Sequence, residues 1–278
     1  MADHKSLDPL LLTKLQRPLL PQDSAPRPRL LKSLARILDH PLTLVSAPAG
    51  FGKSTLVAQA LAEVTAPAAW LTVDEYDNDL RSFLNYLIAA IQTQIPNACA
   101  QTQRLVGAVQ LPSVEYVAAS LLNEMAAIPQ PFIVVIDDFH YLSDPAVDQL
   151  FMMLLRAVPA PLHLVVLTQT DPGWPLARLI GRGHLLQLRS TDLRFRVDEA
   201  EAFLEIASDG TLPRETVTSL VQRTEGWIVA LRLAALTFGQ EPELAVSPDG
   251  SPAPADRLTR RRVHERRAQG RAEPVKDG

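Results

Sequence analysis

Lys53, Ser54 and Thr55 follow a loop of small residues, Pro48-Ala49-Gly50-Phe51-Gly52, which in turn follows the apolar run Leu42–Ala47. Residue types in this order suit a phosphate-binding loop. Gly50 and Gly52 let the backbone turn so that its N–H groups face phosphate oxygens. A helix opening near Lys53 adds the partial positive charge of its N-terminus. The Lys53 ammonium can reach the β- and γ-phosphates, and the Ser54 hydroxyl can sit on Mg²⁺. The glycine usual six residues before the lysine is replaced by Ala47.

The second chemical element is Phe132–Asp138, FIVVIDD. Five apolar residues in a row, rich in β-branched types, fit a strand buried on both faces of a parallel sheet. Two carboxylates at its end are costly inside a core. They are favourable where strand ends face a metal and a nucleotide, outside the carboxyl edge of an open α/β sheet. The pattern assigns Asp137 to Mg²⁺ through water, and Asp138 to polarising an attacking water as the base. The alternative use of Asp138 is to cap the turn that follows.

These two segments need a scaffold, and the rest of the chain supplies its signals. Strands are expected at Leu42–Ala47, Ala68–Val73, Phe132–Asp138, Leu162–Thr168 and Leu185–Leu188. Helices are expected at about 30–38, 53–64, 79–95, 113–128, 145–157 and 176–180. Alternating strands and helices predict an α/β fold with a mostly parallel sheet covered on both faces. From Asp198 the pattern becomes wholly helical, with Asp198 and Glu201 as a capping-box-like start. Four segments result: an extended lead-in over 1–30, a nucleotide-binding domain over 31–195, a helical domain over 196–240 and a tail over 241–278.

Composition narrows the classes. The chain has 278 residues, 47% of them hydrophobic, which is enough for a sizeable core. The net charge of −4 gives no field favouring nucleic acid or anionic membrane over the whole chain. One cysteine, Cys99, excludes an internal disulfide and a thiolate cluster, in keeping with a reducing cytoplasm. There is no secretory signal pattern at the start and no apolar run long enough for a membrane span. Residues 257–271 carry seven arginines against one glutamate, with no aromatic residue in the whole tail. That stretch reads as a basic arm for nucleic acid, as a solvated tail without a core, or as the product of a shifted reading frame.

Several blocks together resemble one family. KLQRPLL, RPRLLKSL, APAGFGKSTL, AAWLTVDEYDND, VIDDFHYL, DPGWPLARLIGRGHLLQLRSTDLRF and TEGWIVALRLAAL appear in order over residues 11–238. They resemble the ATPase module of MalT-like regulators, the large ATP-binding LuxR-type activators within the signal-transduction ATPases with numerous domains (STAND class). APAGFGK is that family's own form of the loop. The resemblance implies a P-loop NTPase domain of RecA/AAA-like type, a small helical domain, ATP or ADP as ligand, and Mg²⁺. It places Arg27 and Arg29 near the nucleotide. It also implies an arginine at position 169, where this chain has Gln169, which can hydrogen-bond to a γ-phosphate but carries no charge. Gly226-Trp227 opens the helix that the resemblance turns toward the nucleotide.

The expected function is an ATP-binding, slowly hydrolysing switch module whose nucleotide state controls self-association. DNA binding is expected only through a further C-terminal domain, and inducer sensing through a separate sensor domain. No membrane is expected as a partner. The alternatives are a nucleotide-binding scaffold that does not turn over, a small-molecule kinase, and a DNA-binding regulator acting through the basic tail.

Overall fold

Alternate residues of the central strands bury on opposite faces, and that alternation shows which helices must cover each face. The computed structural model describes residues 9–21, 24–207 and 212–238. The tail over 241–278, with its arginines, lies outside the described residues. The described chain divides after Phe195 into two compact units.

The first unit holds five parallel strands: β1 (Leu42–Ser46), β2 (Ala68–Thr72), β3 (Phe132–Asp137), β4 (Leu162–Thr168) and β5 (Leu185–Arg189). Their spatial order is β2-β3-β4-β1-β5. The helices are α1 (Pro28–Leu34), α2 (Lys53–Ala60), α3 (Leu80–Gln94), α4 (Ala100–Val106), α5 (Val114–Ala126), α6 (Pro145–Arg156), α7 (Leu176–Gly181) and α8 (Ser190–Leu193). The chain leaves β1 for the far edge strand β2, then works back through β3 and β4 to β5. Right-handed crossovers put the first connection on one face and the later ones on the other. The two cores confirm this. Val45, Trp70, Ile133, Val135, Val165 and Leu167 pack with Leu30 and Leu34 of α1 and Leu56 and Val57 of α2. Leu44, Leu71, Val134, Ile136, Leu164 and Val166 pack against α3, α5 and α6 through Phe83, Leu87, Leu121 and Phe151. The direction of winding changes at β1. Such a switch point leaves a crevice at the carboxyl ends of the strands, and the loop after β1 opens there.

The lead-in is not wholly extended. Residues Leu12–Leu15 form a single 3-10 turn, because Lys14 reaches Asp74 and Asp77 at 2.8 Å each and anchors the segment beside the end of β2. Helix α1 starts at Pro28, a residue whose fixed φ suits a first turn. Helix α4 has no counterpart in the sequence reading.

Among the described residues the second unit contains α9 (Val197–Ala207), α10 (Arg214–Thr224) and α11 (Ile228–Phe238). Ala200, Phe203, Leu204, Val217, Leu231 and Ala235 are its buried apolar residues. The expected capping box shifts by two positions: Glu199, not Glu201, accepts the N–H that precedes the helix, from Arg196 at 3.1 Å. Among the described residues no helix is long and apolar enough to cross a membrane.

Candidate functional site

The loop after β1 turns through Gly50 (φ 77°) and Gly52 (φ 74°), both in the left-handed region where only glycine is unstrained. Gly52 is the N-cap of α2 and offers no side-chain acceptor. The first-turn N–H groups of that helix are therefore without a cap from the N-cap side chain. The start of the loop is fixed by the Ala47 N–H, which donates to the Thr168 carbonyl at the end of β4 at 3.2 Å. Lys53 is buried, and its ammonium donates back to the carbonyls of Ala47 (2.8 Å) and Pro48 (3.1 Å). The loop is thus a closed turn around the lysine, with Phe51 packed against the α1–α2 core.

Asp137 ends β3 at 4% exposure. Its carboxylate faces the Ser54 hydroxyl and accepts a hydrogen bond from the Asp138 N–H at 2.9 Å. Strand β4 lies between β1 and β3, yet the two acidic and basic segments meet over its end. Burial pushes the Asp137 carboxyl up to about 6; the nearby Ser54 hydroxyl pulls it down and the neighbouring Asp138 charge pushes it up. Burial likewise lowers the Lys53 ammonium, and the attraction of Asp138 and Asp137 only partly offsets it. Both charges are held at a cost, which is common where a fold keeps groups ready for a ligand. Among the described residues no cluster of three or more His, Cys, Asp or Glu side chains could cage a metal. Mg²⁺ fits that arrangement, since it uses one or two protein oxygens and takes the rest from phosphates and water. Ser54 and Asp137 are such a pair.

Asp138 adopts φ 59°, ψ 33°, in the left-handed region that aspartate tolerates better than most residues. It precedes the 3-10 turn Phe139–Tyr141, but its side chain makes no capping hydrogen bond. Its carboxylate is about 40% exposed, which leaves it open to water. Phe139 holds this bend in place. Its ring meets Phe151 at 4.9 Å and Trp174 at 5.0 Å between centroids. Trp174 lies on the segment leaving β4, so one aromatic cluster fixes both the 138–141 turn and the exit of β4.

That exit carries Gln169. Its Nε2 lies 2.8 Å from Nε2 of His140, and Nδ1 of His140 lies 3.9 Å from Oδ1 of Asp138. Burial lowers the His140 pKa, opposed by Asp138 and assisted by Lys53, which favours the neutral ring. Ala49 and Thr55 lie on the loop and first turn as read from the sequence. Arg27 and Arg29 are placed against another segment. Arg27 is 5% exposed and donates to the carbonyls of Leu193 and Arg194, each at 2.8 Å. Its guanidinium also lies 4.1 Å from the centre of the Phe195 ring, and Arg29 donates to the Asp192 carbonyl at 2.9 Å. Asp74 is taken by its cap on Tyr76 and by Lys14. Trp227, in the second unit, is 38% exposed. The residue that sequence spacing undervalued is His140; only the adjacency of β3 and β4 brings it to Gln169.

A parallel sheet of this order, with a glycine loop and lysine after β1 and an acidic strand end two strands away, defines the P-loop NTPase class of α/β fold. Within that class the chain belongs to the AAA ATPase domain family, which its residues 27–167 match. It is 35% identical over 231 residues to the HTH-type transcriptional regulator MalT of Yersinia pestis, covering 83% of this chain and 26% of that protein. The MalT of Yersinia enterocolitica is 34% identical over the same length. The chain thus spans about a quarter of the length of the curated relatives it matches, and the resemblance to MalT-like regulators drawn from the motif blocks is borne out. Among solved structures, a STAND protein with a tetratricopeptide repeat sensor from Pyrococcus horikoshii aligns with TM-score 0.56 at 15% identity, over 88% of this chain and 34% of its own. The Walker-type ATPase of Pyrococcus abyssi aligns with TM-score 0.50 at 16% identity, over 93% and 80%. At such identities these two support the fold alone.

Proposed function

We propose that the chain is a nucleotide-operated switch module that binds ATP with Mg²⁺ at the carboxyl edge of the sheet, hydrolyses it slowly, and uses nucleotide state to control self-association. The observation that carries this reading is the contact of Ser54 with Asp137 beside the buried Lys53. In that reading the loop amides over 49–55 and the helix start bind the phosphates. Lys53 leaves the Ala47 and Pro48 carbonyls for the β- and γ-phosphates. Ser54 and Asp137 hold the cation, which when bound neutralises charge developing on the transferred phosphoryl group. Asp138, open to water, takes the proton of the attacking water. Gln169 hydrogen-bonds on the γ side.

Switching requires that ATP and ADP favour different states. A change from 1:99 to 99:1 needs a differential affinity of about 5.5 kcal/mol, so the γ-phosphate contacts must exist in one state and not in the other. Similarity to regulators named HTH-type supports a role in transcriptional control, with DNA recognition belonging to a further domain of such a protein. Lys53→Ala tests the loop assignment: ATP affinity by fluorescence titration should fall about 100-fold or more, since charge-assisted contacts to phosphate contribute about 1.5–3 kcal/mol each. Unchanged affinity would refute it. Sizing the protein with ATP and with ADP tests the switch.

A second reading is a scaffold that holds nucleotide without turnover. The uncharged Gln169 favours it, because stabilising transition-state charge commonly uses a cation. Phosphate release that disappears in Asp138→Asn distinguishes the ATPase from the scaffold.

A further inference from the structure

The Gln169–His140–Asp138 line has a direction set by hydrogen-bond chemistry. A carboxamide nitrogen can only donate, so Nε2 of His140 accepts the 2.8 Å bond from Gln169. A neutral ring that accepts at Nε2 carries its proton on Nδ1. That Nδ1 is buried and has no hydrogen-bond partner among the described residues. The carboxylate that faces it is Asp138, 3.9 Å away. Asp138 is not occupied by capping its own turn. A shift of about 1 Å closes the pair to an ordinary N–H···O distance, and catalytic hydrogen bonds often tighten only when substrate is in place. The ring itself cannot wander: its side chain is 16% exposed, it stacks beside Tyr141 at 4.4 Å, and the Phe139–Trp174 contact fixes the segments on which His140 and Gln169 sit.

We propose that His140 is a positioning residue for Asp138: the Gln169 amide locks its ring in the Nδ1–H tautomer, and that N–H aims the carboxylate at the attacking water. This inference rests on the hydrolytic reading above. In the step it serves, the water proton passes to Asp138 and the water oxygen bonds the γ-phosphorus. The bond from that phosphorus to the β–γ bridging oxygen breaks, ADP and phosphate leave, and the proton returns to solvent. One Gln169 N–H acts on Asp138 through the imidazole, the other is left for the γ side, and Asp138 is the group that takes the water proton.

The test uses isosteric variants of the full chain in steady-state phosphate release. Asparagine places an amide nitrogen near the position of Nδ1, whereas glutamine reaches only the position of Nε2. His140→Ala and His140→Gln should lower kcat about tenfold with KM for ATP within about twofold, because the lost interaction forms only in the transition state. His140→Asn should stay within about threefold of the unsubstituted protein. Equal kcat for the alanine variant, or an asparagine variant as slow as alanine, overturns the proposal. If the unsubstituted protein releases no phosphate, the hydrolytic reading falls and this inference falls with it; if only the variants fail to differ, this inference falls alone. Imidazole ¹⁵N shifts give a readout independent of turnover. The ring should be in the Nδ1–H form and should lose that preference in Gln169→Leu; the Nε2–H form in the unsubstituted protein overturns the proposal.

Discussion

Two clusters of one lysine and two aspartates sit beyond carboxyl ends of strands in the same sheet, and they are built to opposite purposes. Beyond β2, Lys14 meets Asp74 and Asp77 at 2.8 Å each and lies over the ring of Tyr86 at 4.8 Å. Asp77 also accepts the Asp74 N–H, and Asp74 accepts the Tyr76 N–H. Burial lowers the Lys14 ammonium, but the hydrogen bonds and charges of the two aspartates outweigh it and leave it raised. Beyond β1 and β3, Lys53 hydrogen-bonds, among the described residues, to two carbonyls alone, its ammonium is lowered and Asp137 is pushed up to about 6. The first cluster satisfies itself and fastens the lead-in to the sheet edge. The second keeps opposite charges close but not joined, and a ligand with anionic oxygens and a divalent cation would satisfy both at once. Like residue types at like positions therefore differ in meaning according to whether their charges are already spent.

The comparison breaks most sharply under alanine substitution of each lysine. Lys53→Ala is expected to remove nucleotide affinity by about 100-fold or more while leaving thermal stability nearly unchanged, since its buried ammonium is already disfavoured. Lys14→Ala should do the reverse. Nucleotide affinity stays, and unfolding free energy falls by about 2–3 kcal/mol because Asp77 is left buried without its partner. Lys14 is raised in the folded state, so its contribution is fully present below the usual lysine pKa and is lost as pH rises through the folded value. Calorimetry and nucleotide titration on both variants measure this; equal effects on both quantities would dissolve the distinction.

Asp137→Asn sharpens it. A carboxyl moved from 3.8 to about 6 by folding destabilises the folded state whenever it is ionised. The sign is the reverse of a paired aspartate: the penalty is full above the folded pKa, shrinks as pH falls through it, and is gone below the unfolded value. At 1.36 kcal/mol per unit, the asparagine variant should be more stable by about 2–3 kcal/mol at pH 8 and by almost nothing near pH 3. Denaturant unfolding at the two pH values checks this. The same variant should lose Mg²⁺-dependent ATP affinity, as groups that serve a ligand commonly cost stability.

How much of this was open to sequence reading follows from the range of each interaction. The apolar runs Leu162–Thr168 and Phe132–Asp137 declare buried strands by themselves, and the glycine loop with Lys53 and Ser54 is contiguous. Helix α4 was not visible because its support is not local. It starts after Cys99 in the left-handed region, and its free N–H groups at Gln101 and Thr102 are capped by Glu124 from α5, both at 2.8 Å. No rule about neighbouring residues finds a cap more than twenty positions away. His140 with Gln169 and Lys14 with Asp77 were hidden for the same reason: each pair exists only once strand order is known. Glu124→Gln should therefore lower stability by about 1 kcal/mol, read by unfolding, with hydrogen exchange faster at residues 100–106 than elsewhere.

The smallest effect concerns the clamp on the last residues of the first unit. Arg27 presents two nitrogens to consecutive carbonyls and a flat face to Phe195, a combination that lysine cannot reproduce. Arg27→Lys keeps the charge and loses the fork, and should cost about 1 kcal/mol of stability. If the arginine serves residues 193–195 alone, ATP affinity will stay within about twofold. If it also reaches the nucleotide, as the family resemblance implies, affinity will fall with stability, and the same titration used for Lys53→Ala separates the two. The outcome fixes where the ligand site ends on the side of the lead-in. A structural clamp would group Arg27 with Lys14 among charges already spent within the fold, whereas a ligand contact would group it with Lys53.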